Sequence, residues 1–311
     1  MYHRVVPRGE IEGTIQPGMY VDPEVFEIHV KFLRNYFQIL PLSALAAPSD
    51  PTGSHPMPTC FLTFDDGWKD FYVHAFPVLN AYRVPATVFL PTEYIGTEDW
   101  FWTDRLAYLF SRRSFMRKRH KPSKNSVINK LERMRGSQES RLEKSINILK
   151  KHQMPEIEDV LQELSARWEA SLPPSRRVFL TWDEVKEMRN SKLVTFGSHG
   201  ATHRILTMLS ENDVKEELTQ SKARLISEGV VDAEFVPFCY PNGNYHDGIL
   251  ELARKAGYAL AVTTDAGWVT PDLDRFRLKR VSLHQDISSS EALLGLRVAG
   301  AARLCGDNAI E

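Results

Sequence analysis

Cysteine is scarce: Cys60, Cys239 and Cys305 are the only three in 311 residues. They are too few and too scattered for a disulfide framework or a four-cysteine zinc site. Long apolar runs are absent, so no segment reads as a bilayer-spanning helix. The opening MYHRVVPRGE has no apolar stretch of the signal-peptide kind. As written, the chain reads as cytoplasmic, and a true start upstream of Met1 would change that to extracytoplasmic. Net charge is nearly absent too, with 39 Lys+Arg against 40 Asp+Glu. No global field draws nucleic acid, and no nucleic-acid recognition motif occurs. Internal repeats and low-complexity tracts are missing. What remains is a globular composition, 42% hydrophobic and 25% charged, with length for one large domain or two ordinary ones.

The balance of charge hides an asymmetry. Residues 105–151 carry fifteen Lys or Arg against Glu132, Glu139 and Glu143, while the rest of the chain is correspondingly acidic. Six of the eleven residues from Ser111 to Lys121 are basic. Such a cluster is either a solvated face or a seat for a phosphate or the anionic headgroups of a membrane, which makes peripheral membrane contact through residues 105–151 an expectation to carry forward.

Elsewhere the pattern alternates between strand and helix. A β-like piece at Tyr2–Val6 precedes a helix capped by Asp22 and running to Tyr36. A short apolar stretch follows at 37–42, then a loop at 47–58 with four prolines. CFLTF at 60–64, a helix over 71–82 and ATVFLP at 86–91 form a βαβ signature. Residues 97–175 break this rhythm and read as a basic insertion of two or three helices. The alternation resumes with helices starting at the Thr181/Glu184 and Ser210/Asp213 caps. Further helices are expected over 247–256 and 290–304, and strands over 193–197, 235–240, 258–263 and 281–284. Strands separated by helices imply a largely parallel sheet, with ligands at the C-terminal strand ends if it closes.

Polar residues gather at those ends. Asp65 and Asp66 finish one strand and Gly67 turns the chain, which lets two neighbouring carboxylates approach one site in different roles; the tripeptide is also a common solvated turn. His199 and His203 follow another strand at i, i+4, sharing a face if a helix begins there. Two histidines and a carboxylate match a common catalytic metal set with a position open for water. The turn after Phe238-Cys239-Tyr240-Pro241 either presents backbone N–H groups to an oxyanion or simply ends a strand. Cys239 looks buried and apolar rather than nucleophilic. His284, after RVSL, is a candidate proton donor or a packed histidine; His3 is a weaker candidate for the same pocket.

These motifs carry a resemblance. TFDDG at 63–67, SHGATH at 198–203, FCYPNG at 238–243, TTDAGW at 263–268 and RVSLH at 280–284 resemble the polysaccharide deacetylase family, the NodB-homology carbohydrate esterases. MYHRV at the start and FPVLNAYRVPATVFL at 76–90 fit as well, so the likeness covers nearly the whole chain except the insertion. It implies an α/β fold: a distorted (β/α) barrel of seven or eight strands, residues 1–311 forming one domain with 97–175 as its helical insertion. It implies Asp65 as general base, Asp66, His199 and His203 as ligands of a divalent metal, usually zinc, and His284 as general acid. The family's third motif usually carries an arginine pairing with the base, and Cys239 stands there instead. Arg280 is the nearest replacement as orienter of Asp65. The fourth motif spaces Asp265 and Trp268 by three rather than four, leaving Asp265 as candidate orienter of His284.

The reaction implied is hydrolysis of an N-acetyl group from an amino sugar, with a glycan or carrier-linked sugar as partner. The Tyr240 backbone N–H is the candidate oxyanion donor, and Trp68, Pro241 and Trp268 the candidate substrate walls. Tyr94, Trp100, Phe101 and Trp102 either stack on sugar rings or pack the insertion. Alternatives are an O-deacetylase, a deformylase on a lipid- or nucleotide-linked sugar, an amidase on a non-sugar amide, or a carbohydrate-binding member that has lost activity. Nothing in the sequence sets an oligomeric state.

Overall fold

The computed structural model describes residues 1–10, 18–46, 57–113, 121–270 and 272–300, in two compact units. The strands in chain order are β1 (Arg4–Val5), β2 (Tyr20–Val21), β3 (Gln38–Ile39), β4 (Thr59–Cys60), β5 (Leu62–Phe64), β6 (Ala86–Leu90), β7 (Val194–Ser198), β8 (Pro237–Cys239), β9 (Leu260–Ala266) and β10 (Leu278–Arg280). The helices are α1 (Pro23–Tyr36), α2 (Phe76–Tyr82), α3 (Trp102–Arg112), α4 (Ser126–Arg133), α5 (Gln138–Leu149), α6 (Met154–Trp168), α7 (Trp182–Asn190), α8 (Glu211–Ser227), α9 (Asp247–Lys255), α10 (Gln285–Ser288) and α11 (Glu291–Val298). None of these helices is long and apolar enough to cross a membrane.

The first unit is built on a six-stranded parallel sheet in the order β10-β9-β8-β7-β6-β5. Parallel strands covered on both faces need continuous apolar runs, and every residue of β5 and β6 is buried. The first two residues join the sheet's edges. Tyr2 N–H donates to the Thr63 carbonyl (2.9 Å), Asp65 N–H donates to the Tyr2 carbonyl (3.0 Å), and Leu283 N–H donates to the Met1 carbonyl (3.0 Å). The parallel strands therefore close into a distorted barrel, with Met1–Tyr2 in the seventh position. This places the ends of β5, β7, β8 and β10, and the residues after them, around one rim.

Local sequence explains most element ends. The Asp22 side chain accepts from Glu24 N–H and Pro23 occupies the first turn of α1. Thr181 and Glu184 cap α7 reciprocally, an arrangement contributing about 1 kcal/mol. Three expectations shift. The stretch at 37–42 gives only Gln38–Ile39 before a 3-10 turn at Leu42–Ala46. The last strand is Leu278–Arg280 rather than 281–284, because the chain leaves β9 after Arg280 and Leu283 pairs with Met1 instead. The C-terminal helix is described as Glu291–Val298; residues 301–304 fall outside the described residues.

The second unit contains Glu98–Arg176. Its described residues form four helices rather than two or three, since Asn125 and Ser137 each cap a new N-terminus. They bury a core of their own, including Leu106, Leu109, Phe110, Leu131, Leu161 and Trp168.

Candidate active site

Asp65 and Asp66 leave β5 in different directions because the backbone turns between them. Asp66 has φ +74° and Gly67 φ +65°. A Cβ at residue 67 would lie 2.9 Å from both the Ile95 and Leu90 methyls, so the turn needs glycine for space as well as for dihedral. Asp66 is buried, and its Oδ2 accepts from the Trp68 indole N–H at 3.0 Å. Its Oδ1 faces His199 Nε2 at 3.3 Å and His203 Nε2 at 3.2 Å. Burial opposes the Asp66 charge, but the two imidazoles outweigh it and hold the carboxyl well below its usual range.

The histidines meet without the expected helix. Residues 199–205 form a loop between β7 and the turn at Leu206–Met208. His199 N–H is anchored on the Leu90 carbonyl (2.9 Å), and its Nδ1 donates to the Cys239 carbonyl (2.9 Å). A carbonyl only accepts, so Nδ1 carries a proton in this bond and Nε2 is the nitrogen that faces Asp66. His203 has φ +57°, a left-handed conformation held by its surroundings.

What holds that loop is Glu217 of α8, 2% exposed. Its carboxylate accepts from Ala201 N–H (2.8 Å), Thr202 N–H (2.9 Å), the Thr202 hydroxyl and Arg204. A Cβ at Gly200, whose φ is +77°, would press to 3.1 Å from Glu217 Oε2, which accounts for glycine after the first histidine. Glu217 was missed in the sequence. Its signal was an acid on the buried stripe of Val214, Leu218, Ser221 and Leu225.

Asp66, His199 and His203 offer three donor atoms within 4.8 Å of one another. Corners of a tetrahedral zinc site with bonds of about 2.0–2.1 Å lie about 3.3 Å apart, matching the two Asp66–imidazole distances. Two imidazole nitrogens, deprotonated when they ligate, and one carboxylate are a fitting donor set for that ion.

Asp65 occupies the other half of the centre. Arg280 Nη1 donates to Oδ1 at 2.7 Å and Nη2 to Oδ2 at 2.8 Å. The guanidinium is spent further on the Thr263 carbonyl (2.7 Å), Thr63 Oγ1 (3.2 Å) and Cys239 Sγ (3.2 Å). A register shift between Leu278 and Arg280 aims the side chain inward. Burial penalises the Asp65 charge, but Arg280 prevails and holds the carboxyl down at about 2. Cys239 is buried with Sγ 3.5 Å from Asp65, its thiol pushed up by burial.

Other candidates stand differently from expectation. The Tyr240 N–H donates to the Val262 carbonyl at 3.4 Å; it closes the β8–β9 ladder and is not a free oxyanion donor. Trp68 is no substrate wall: it is buried, stacked on Phe179 at 4.7 Å with Arg4 over its other side, and holds Asp66. Asp265 accepts from the Tyr245 hydroxyl (2.7 Å), while the carboxylate beside His284 is Asp286, 3.3 Å from Nδ1. Trp268 is half-exposed, donates to the Val298 carbonyl and packs near Phe37, so its neighbours lie at the C-terminal ends of α11 and α1. Pro241 is buried against the Gly200 turn. His3 Nε2 lies 4.0 Å from Asp65 Oδ2.

Of the four aromatics at 94–102, Tyr94 packs on Phe179 in the first unit, and Trp100 meets Tyr108 in the second. Of the basic stretch, Arg117, Lys118 and Arg119 fall outside the described residues. Arg105 is held bidentately by Glu158, and Arg113 lies over the Trp168 ring, so part of its charge is consumed within the helical unit.

A family model described as polysaccharide deacetylase matches residues 52–261. The Bacillus subtilis (strain 168) protein YxkH, named as a polysaccharide deacetylase, is 24% identical over 88% of this chain and 69% of its own length. A poly-beta-1,6-N-acetyl-D-glucosamine N-deacetylase from Staphylococcus epidermidis is 22% identical over 75% of this chain and 57% of its own. The chain thus spans little more than half of that relative. The Streptococcus pyogenes deacetylase PplD, solved with acetate, shares the fold at TM-score 0.61 and 20% identity, covering 94% of this chain and 95% of that one.

Proposed function

We propose that this chain, which belongs to the polysaccharide deacetylase family, removes N-acetyl groups from an amino sugar in a polysaccharide or carrier-linked glycan by hydrolysis. The observation that carries the reading is the placing of Asp66, His199 and His203 as a donor set beside the buried Asp65–Arg280 pair. The S. epidermidis relative, named for an N-acetylglucosamine polymer, supports the sugar class.

Asp66 Oδ1, His199 Nε2 and His203 Nε2 would hold a divalent ion, with zinc the best match. Bound there, the ion supplies an acidified water and polarises the amide carbonyl. Asp65 stays ionised at neutral pH and accepts the water's proton, oriented by the Arg280 fork. Trp68, the Cys239 carbonyl and Glu217 fix the three donors. His284 on the rim, beside Asp286, is the proton donor that the motif order assigns to the departing amine. The test is acetate release from N-acetylglucosamine oligosaccharides by zinc-loaded protein. Release that is lost in Asp65→Asn, with zinc retained, supports the reading; a zinc-loaded wild type that releases nothing from polymeric or carrier-linked N-acetyl sugars ends it.

A further inference from the structure

The helical unit buries donors that its own residues leave unpaired. Arg113, the residue after α3, lays its guanidinium over the Trp168 ring, 4.5 Å from the centroid. Arg141 of α5 lies over the Phe110 ring at 5.8 Å, and Phe110 meets Trp168 edge to face at 5.0 Å. Rings and cations thus interlock in one patch formed by α3, α5 and α6. Stacking uses the face of a guanidinium and leaves its N–H edges to be satisfied by other groups. Here that does not happen. Arg113 Nη1, Arg141 Nε and Trp168 Nε1 are buried, and none has a hydrogen-bond partner among the described residues. Trp168 is only 4% exposed, so bulk water does not serve its indole N–H.

Charge adds to the imbalance. Burial pulls the Arg113 guanidinium below its ordinary range and the Arg141 charge pulls it further, with Glu132 opposing. Glu132 is already gripped by Arg167, which donates from Nε to Oε1 at 3.0 Å and from Nη2 to Oε2 at 2.7 Å. Two neighbouring cations therefore lack a carboxylate of their own among the described residues. Native folds keep few buried donors unpaired, and one reason to keep them is an ion that binds there. The class of ion follows from the donors. All three groups only donate, two carry a full positive charge, and they come from separate side chains. A phosphate monoester has acceptor oxygens on several sides and more than one negative charge near neutral pH, whereas a carboxylate presents one planar edge. Both arginines are half-buried, so the patch borders solvent and such a group can reach it.

We infer that Arg113, Arg141 and Trp168 form a phosphate-binding site in the helical unit, taking free phosphate or a phosphate monoester through the two guanidiniums and the indole N–H. The site is separate from the candidate active site and does not depend on the deacetylase reading. It divides the basic stretch by role: Arg113 and Arg141 face the ligand, while Arg105 is spent on Glu158.

The experiment titrates the full-length protein with inorganic phosphate and follows the Trp168 indole N–H resonance by NMR, identified by its disappearance in Trp168→Phe. In parallel, the protein is sedimented with phosphatidylcholine vesicles with and without phosphatidic acid, which carries a phosphate monoester on a lipid. The expected result is saturable binding that moves the Trp168 resonance. Arg113→Gln and Arg141→Gln should each weaken it about tenfold or more. Lys144→Gln, the same charge change at an exposed position of α5, should leave it within about twofold. Thermal midpoints without phosphate report the fold of each variant, and added phosphate should raise the midpoint of wild type and Lys144→Gln far more than that of either arginine variant. Where phosphate binds, sedimentation with phosphatidic acid that is lost in the arginine variants names a lipid headgroup as its source. Binding without sedimentation names a soluble phosphate, and the site stands in both cases. A Trp168 resonance that phosphate leaves unmoved, or binding weakened equally by Lys144→Gln, overturns the site.

Discussion

Arg280 grips Asp65 with both terminal nitrogens, at 2.7 and 2.8 Å, across 215 residues of chain. The arginine comes from β10 and the aspartate follows β5, the two edge strands that Met1–Tyr2 bridges. The pair is buried, so each charge depends on the other for the solvation it has lost. Arg280→Lys keeps one positive charge but gives up the planar fork. It should cut kcat at least tenfold while zinc binding is retained. Arg280→Leu leaves Asp65 buried without its counter-ion and should cost about 3–5 kcal/mol of stability. Urea unfolding midpoints alongside acetate release check both.

The same pair sets an acid limit. Asp65 has its carboxyl depressed from 3.8 to about 2 in the folded protein. A depressed acid stabilises the fold above its unfolded value and loses that contribution as pH falls toward the folded one. The window is therefore about pH 4 down to pH 2, and the loss is on the order of 2 kcal/mol. Thermal midpoints across this range should fall more steeply in wild type than in Asp65→Asn, which has no carboxylate to protonate. Equal slopes would mean the pair contributes nothing to acid stability.

How much of this was readable depends on distance along the chain. TFDDG and HGATH announce themselves because their groups are neighbours, and the parallel α/β plan follows from apolar runs such as ATVFL. Arg280 was reachable only by asking what else could neutralise Asp65 once Cys239 occupied the expected position. Trp68 and Asp265 were misassigned because their partners are set by geometry that spacing does not show. The left-handed Asp66 brings its carboxylate back under the indole, and Tyr245, twenty residues before Asp265, captures that acid. Glu217 was invisible for a different reason. It lies next to Glu216 in a helix rich in charge, and only folding decides which of the two is buried.

Glu217 gives the sharpest separation between loop geometry and ligand identity. Its carboxylate gathers two backbone N–H groups, a hydroxyl and Arg204 around the loop that carries both histidines. Glu217→Gln has the same shape but brings an amide N–H toward donors, so half of that cradle is lost. Groups that orient ligands typically change metal affinity 10–100-fold when removed. Zinc titration by a competing chelator should show a loss of that size in Glu217→Gln with all three donors still present. Glu216→Gln, on the exposed neighbour, should bind zinc as wild type does.

Trp68 tests whether one hydrogen bond to Asp66 matters apart from packing. The indole stacks on Phe179 at 4.7 Å, lies under Arg4 at 4.4 Å and donates to Asp66 Oδ2 at 3.0 Å. Trp68→Phe keeps an aromatic face for both neighbours but removes the N–H. A bond to an ionised acceptor is worth about 1.5–3 kcal/mol, and burial magnifies the loss because Asp66 has no water to turn to. With the N–H gone, the carboxylate can rotate away from the His199 and His203 nitrogens. Zinc should therefore bind roughly tenfold more weakly and the acetate-release rate should fall at limiting zinc, then recover when zinc is raised. Recovery at saturating zinc is the informative readout, since a damaged fold would not regain activity from added metal. A Trp68→Phe enzyme with wild-type zinc affinity would reduce the indole to a packing role and leave Asp66 oriented by its own left-handed backbone.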